Sequence, residues 1–142
     1  MKTLNYSKQR NAILDFLHTR TDHPTADVIY QNVRSVIPNI SLGTVYRNLN
    51  QLADNGMILR LKGKNGAEHF DGNTQEHQHF ICNECGAVED IFLKDYDLLA
   101  SVNAAAEEIF DGEIQGKDIY FFGVCSKCFK QEMKTDDRRK SC

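Results

Sequence analysis

From Ser7 to Gly56 the apolar side chains recur three and four positions apart, the spacing of one helix face. "SKQRNAILDFLHTR" (7–20) carries Ile13, Leu14, Phe16 and Leu17 behind a capping Ser7. "HPTADVIYQNVRSVI" (23–37) repeats Val28/Ile29, Val33 and Val36/Ile37 and is expected to hold Pro24 in its first turn. "SLGTVYRNLNQLADNG" (41–56) is capped by Ser41 and stopped at Asn55-Gly56. Its buried stripe is Val45, Leu49, Leu52 and Ala53, leaving Thr44, Arg47, Asn48 and Gln51 on the opposite side.

The period then drops to two. "MILRLKG" and "AEHFDG" flank "KNG" and predict a β-hairpin with Lys62 and Lys64 at its tip. Three helices followed by a hairpin is the order of a winged helix-turn-helix. Beyond it the pattern predicts strands in "HQHFIC", "AVEDIFL" and "KDIYFFGVC", and a helix over "DYDLLASVNAAAEEIF". A short helical turn is expected around "SKCFKQEM", and the polar end "KTDDRRKSC" is expected to fray. The boundary between the halves falls in "DGNTQE", residues 71–76.

Charge sharpens this division. Residues 1–70 hold nine Lys/Arg against five Asp/Glu, net +4, whereas residues 71–142 hold eight against fifteen, net −7. A basic first half suits an anionic partner, while chance unevenness is the bland alternative. No apolar run has the length of a membrane span, and "MKTLNYSKQR" lacks the apolar core of a signal peptide. The expectation is a cytoplasmic protein with no membrane partner, in which thiols stay reduced.

The chemistry concentrates in "EHQHFICNECG" (76–86). On a strand His77 and His79 share a face and Cys82 lies on the other, with Cys85 following across a Gly86 turn. That predicts two sites of different character. Cys82/Cys85 and Cys125/Cys128 are two C-x-x-C units with 39 residues between the pairs. Such units supply the tetrahedral thiolate cage of a structural Zn²⁺, with a redox dithiol as the alternative. The other candidates are His23, Asp71, His77, His79 and Asp90, with His18 and His69 as extras. Imidazole and carboxylate suit Fe²⁺, Mn²⁺ or Zn²⁺, although spacing alone does not recruit His23 from the other half. Neither H-E-x-x-H nor H-x-E…P-C-x-x-C is present, so a metalloenzyme with a small-molecule substrate is not expected. A metal chaperone or redox zinc switch remains, but neither needs a winged helix.

"QR" at 9–10, "HPTAD" at 23–27, "TVYRNLNQL" at 44–52, "HQHFICNECG" at 77–86 and "CSKC" at 125–128 stand in the order found in the ferric-uptake-regulator family. The chain resembles that family over nearly its whole length. The resemblance implies an α+β fold with a winged-helix DNA-binding domain (1–71), a hinge (72–76) and an α/β dimerisation and zinc-binding domain (77–142). It implies one structural Zn²⁺ per chain on Cys82, Cys85, Cys125 and Cys128. It also implies one regulatory Fe²⁺ or Mn²⁺ on His23, Asp71, His77, His79 and Asp90. Aspartates in "HFDG" and "AVED" match the peroxide-sensing branch, with Glu89 as a rival for Asp90. In that branch iron-catalysed oxidation of His23 or His77 inactivates the repressor; a metal-responsive repressor without peroxide sensing is the alternative. A second regulatory site of many iron sensors uses "HHDH", whose first and third positions are Glu76 and Gln78 here. A homodimer on an inverted-repeat operator is expected. Tyr46 and Arg47 would approach base edges, with Ser41 and Thr44 beside them, and Arg10, Lys62 and Lys64 would serve phosphates or the minor groove.

Overall fold

In the computed structural model, which describes residues 7–140 and side chains as far as residue 138, the first helix begins where Ser7 closes it. The Ser7 hydroxyl accepts the Arg10 N–H at 3.3 Å, and α1 runs Lys8–His18 with Ile13 and Leu17 buried one turn apart. The second helix, α2, is Ala26–Val33. It is shorter than the apolar pattern, since Val36 beyond its end is 65% exposed. Pro24 lies before the Thr25 cap rather than in the first turn. Its carbonyl instead accepts the Phe70 N–H at 3.0 Å, so residues 23–24 lie along a strand edge and not in the helix.

The third helix, α3, is Leu42–Asp54, with Ser41 accepting the Thr44 N–H. Gly56, at φ +70°, takes the left-handed turn that ends it. Val45, Leu49 and Leu52 are buried as the stripe requires, with Ala53 packed beside them. Asn48 departs from its expected outward position: it is buried, and its amide donates to the Thr44 carbonyl at 2.9 Å. Satisfying its donor within the helix lets a polar side chain enter the core. The outward face is therefore Tyr46, Arg47, Asn50 and Asp54, all exposed, while Gln51 is half-buried.

Strands β1 (Leu59–Lys62) and β2 (Glu68–Asp71) pair antiparallel, Leu61 opposite His69, across a tip at Lys64–Gly66. Phe70 is fully buried among Ile13, Leu17, Ile29, Val45 and Leu49, sealing the helical core with the wing. The second sheet has the order β4-β3-β5, built from β3 (Gln78–Cys82), β4 (Val88–Ile91) and β5 (Tyr120–Gly123). The β3–β4 pair is antiparallel. The β3–β5 pair is parallel, and the chain passes from β4 to β5 through α4 (Tyr96–Ile109). The last helix, α5, is Ser126–Lys140, longer than the short turn expected and continuing into the polar end. Cys142 lies outside the described residues.

Two of the connections that join the halves belong to the fold itself. One is the segment 72–76, held in turns by the Asn73 N–H on the Asp71 carboxylate (2.8 Å) and the Gln75 N–H on the Asn73 side chain (3.1 Å). The other is an apolar seam in which Leu61 of the wing packs with Ile81 and Val88 of the second sheet.

Phe70→Ala is expected to lower the unfolding free energy by about 3–5 kcal/mol, the cost of a large buried aromatic truncated in a packed core. A shift in the urea midpoint at constant slope measures it; no shift means that the wing does not seal the core.

Candidate metal centres

The β3–β4 turn and the β5–α5 junction bring four thiols together. Gly86, at φ +76°, lets the chain reverse after Cys85. The Cys82 N–H bonds to the Ala87 carbonyl, and the Asn83 N–H bonds to the Gly123 carbonyl at 2.7 Å. The four Sγ atoms lie within 4.8 Å of one another, and Cys85 and Cys125 are 3.8 Å apart. A tetrahedral cage with Zn–S bonds of about 2.3 Å has sulfur–sulfur edges of about 3.8 Å, so the donors fit a zinc ion. The Cys125 N–H donates to Cys82 Sγ at 3.3 Å. Backbone donors from Cys125 and Cys85 bring the Cys82 thiol down to about 6, against the effect of burial. Burial and the neighbouring thiols push Cys128 up to about 12. Four adjacent thiols thus do not all ionise by themselves, and a divalent cation supplies the charge that lets them.

The second cluster lies where the halves meet. His23 stands between α1 and α2, Asp71 ends β2, His77 and His79 flank the start of β3, and Asp90 lies on β4. One donor atom from each comes within 4.8 Å of all the others. Asp71 Oδ2 lies 3.2, 2.9 and 3.4 Å from Nε2 of His23, His77 and His79. Asp90 Oδ1 lies 2.7, 3.0 and 3.5 Å from the same three atoms. Backbone carbonyls set two of the tautomers. Nδ1 of His23 donates to the Val88 carbonyl at 3.0 Å, and Nδ1 of His77 donates to the Gln75 carbonyl at 2.6 Å. With Nδ1 engaged in this way, a neutral ring at either position aims its Nε2 lone pair at the carboxylates, as metal-ligating histidines do when a carbonyl holds the other nitrogen. Lone pairs converging on lone pairs need a proton or a cation between them, and the nitrogen–oxygen donor set suits Fe²⁺ or Mn²⁺.

The electrostatics carry the same signature. Burial disfavours the charged form of His23, yet the Asp71 hydrogen bond and the Asp90 and Asp71 charges outweigh it and raise its pKa. Burial also works against ionised Asp71, but bonds from His23, His79 and the Asn73 N–H hold its carboxyl well below the usual range. Phe92 stacks on His77, with ring centroids 5.2 Å apart, covering that side. A cavity of about 440 Å³, lined by His18, Arg20, Asn73 and Phe92 among others, reaches the cluster at Asp71 and Asp90.

Glu89, the rival carboxylate, is exposed opposite Phe80 and turns away from the cluster, as strand alternation demands. Gln78 is buried, and its Oε1 accepts the Leu93 N–H at 2.9 Å. Glu76 is exposed and pairs with Lys117. These two positions therefore tie β3 to its surroundings and do not converge on a metal.

On α3 the hydroxyls of Ser41 and Thr44 are 2.9 Å apart and occupied with the cap. Tyr46 and Arg47 are free of the core. Arg10 reaches from α1 to the Gln51 side chain at 2.8 Å, and Lys64 Nζ donates to the Glu84 carbonyl in the thiol turn at 2.8 Å. Lys62 remains exposed at the end of β1. The pairing of Asn50 with Arg60 at 2.8 Å went unread in the sequence, because the period assigns Asn50 a face but no partner.

The sequence profile of the Ferric uptake regulator family matches residues 1–115. The peroxide-responsive repressor PerR of Staphylococcus epidermidis is 37% identical over 120 residues, 84% of this chain and 78% of that protein. The structure of the Campylobacter jejuni peroxide stress regulator is similar at TM-score 0.73 and 31% identity, over 84% of this chain and 88% of that one. The Helicobacter pylori ferric uptake regulator Fur, with its three functional metal binding sites, is similar at TM-score 0.74 and 25% identity, over 89% of this chain and 83% of that one.

Two outcomes are expected. Cys125→Ser should lower zinc content below one per chain and broaden thermal unfolding, since metal and fold are coupled at such cages; metal analysis with circular dichroism reads both. Asp71→Asn should weaken Mn²⁺ binding more than Asp90→Asn, because Asp71 is the more buried carboxylate, 4% against 16% exposed. Equal losses by calorimetry would contradict that ranking.

Proposed function

Because the chain belongs to the ferric uptake regulator family, we propose that it is a metal-dependent transcriptional repressor inactivated by hydrogen peroxide. The observation that carries this reading is the five-donor cluster with two aspartates, drawn from both halves of the molecule. His23 precedes the recognition unit, Asp71 closes the wing, and His77, His79 and Asp90 belong to the sheet beyond. An ion held by all five fixes the angle between the halves. It shifts the equilibrium because the assembled arrangement binds it better than a parted one.

Cys82, Cys85, Cys125 and Cys128 would hold a zinc ion that staples the second half. In the cluster, Fe²⁺ would supply redox chemistry with peroxide, whereas Mn²⁺, which reacts poorly, would hold the shape alone. The cavity at Asp71 and Asp90 gives a small polar molecule a route to the donors. The ring of His23 or His77 then gains one oxygen atom from peroxide, the other leaving as water, and the altered ring is a poorer ligand. The protein's own contribution is to orient these imidazoles by the carbonyls of Val88 and Gln75 and to bury them. It acts as a regulator and not as an enzyme, and its place is the cytoplasm with the DNA.

The DNA partner would be a duplex inverted repeat read by a homodimer, since one small winged helix contacts too few base pairs for tight specific binding. Support for the dimer comes from α4, which buries only Leu99 while Tyr96, Leu98, Val102 and Ile109 are exposed. A helix of this length has marginal stability without a partner for its apolar face. Phe121 and Phe122 on β5 are exposed as well.

The test loads the dimer with Fe²⁺ or Mn²⁺, adds mild peroxide, and follows operator binding with mass spectrometry. Release of the Fe²⁺ form with one added oxygen on His23 or His77, and retention of the Mn²⁺ form, is the expected result. Release that tracks thiol oxidation and zinc loss, or no release at all, would leave an iron-responsive repressor in its place. Arg47→Ala is expected to cost about 1–3 kcal/mol on the operator and little on random duplex. Equal losses on both would remove its base-reading role.

A further inference from the structure

His23 is a non-glycine residue at positive φ, +53°, and is 2% exposed. That backbone is disfavoured for any side chain with a Cβ, so it persists only where the surroundings impose it. The wing strand imposes it twice. The ring of His69 puts Nδ1 2.7 Å from the His23 carbonyl oxygen, and one residue on, the Phe70 N–H bonds to the Pro24 carbonyl at 3.0 Å. A carbonyl only accepts, so His69 Nδ1 carries the proton. His69 is not among the five converging donors. Its ring lies against Gly63, where an added Cβ would stand 2.7 Å from both Cδ2 and Nε2 of the imidazole. Gly63 sits at ordinary negative φ, −91°, so the backbone tolerates alanine there and only the ring objects.

We propose that His69 is a positioning residue that locks the His23 backbone so that its Nε2 faces Asp71 and Asp90, and that Gly63 reserves the space for the His69 ring. The inference rests on the reading of the five-donor cluster as a divalent-metal site. It makes the base of the wing part of the metal centre: a change at Gly63, on the far side of the His69 ring from His23, reaches His23 through that one ring.

The experiment measures Mn²⁺ binding to the zinc-loaded dimer by calorimetry for the parent, His69→Ala, His69→Gln, Gly63→Ala and the double variant. His69→Ala is expected to weaken binding about 10–100-fold, as losing a group behind a ligand does, with zinc content unchanged. His69→Gln, whose amide can donate to the same carbonyl, is expected to recover part of the loss. Gly63→Ala should weaken binding in the parent and do nothing further in His69→Ala, where the ring it displaces is gone. In metal-free protein the Phe70 amide should exchange faster in His69→Ala and in Gly63→Ala, because its acceptor follows His23. Parent-like Mn²⁺ affinity in His69→Ala, or additive losses in the double variant, would overturn the proposal. A parent that takes up no Mn²⁺ would overturn the metal reading instead, and the Phe70 exchange, read without metal, would still decide the role of His69.

Discussion

Three imidazole nitrogens face two carboxylate oxygens across 2.7–3.5 Å, and backbone carbonyls fix two of the rings with Nε2 inward. Such an arrangement repels itself unless positive charge lies within it. Much of the chain around it supplies rigidity for that purpose. The Val88 carbonyl comes from the strand that also carries Asp90, the Gln75 carbonyl closes a double turn starting at Asp71, and Phe92 covers His77. The cage of thiols is a separate problem with a separate answer: softer donors, at the far end of β3, holding the ends of the second half together.

The wing is the element that both halves share. Phe70 points into the helical core while Asp71, the next residue on β2, contributes to the cluster. Alternation along a single strand thus connects the packing of the first three helices to the donor set. On the paired strand Leu61 enters the seam with Ile81 and Val88, and at the tip Lys64 is tied to the thiol turn. The halves therefore meet through apolar, hydrogen-bonded and donor-cluster contacts at three separate points.

Much of this was legible in the chain itself, for local reasons. The caps at Ser7 and Ser41, the stop at Gly56 and the turn "KNG" act within a few residues, so spacing reveals them. The pairs Cys82/Cys85 and Cys125/Cys128 declare themselves by repetition. What escaped depends on distant partners. Pro24 read as a helix start because its bond to Phe70 spans the chain. Asn48 read as exposed because polarity, not the bond to Thr44, was visible. The length of α5 was hidden because residues 134–140 carry charge without an apolar period. His23 joined the donor set only through family resemblance, since nothing in its neighbours predicts contact with Asp90, and Lys64 at the tip gave no sign of Glu84.

Asp71 has one further consequence, through thermodynamic linkage. The residue is covalently part of the wing, so whatever arrangement of the wing a duplex selects is also an arrangement of one of the five converging donors. Coupling free energies are reciprocal: a metal that tightens DNA binding is itself tightened by DNA to the same degree, typically by about 5–150-fold. A repressor seated on its operator would then retain its ion at concentrations that empty the free dimer. The threshold at which a gene is released becomes a property of the operator as well as of the protein, with tighter sites clearing later.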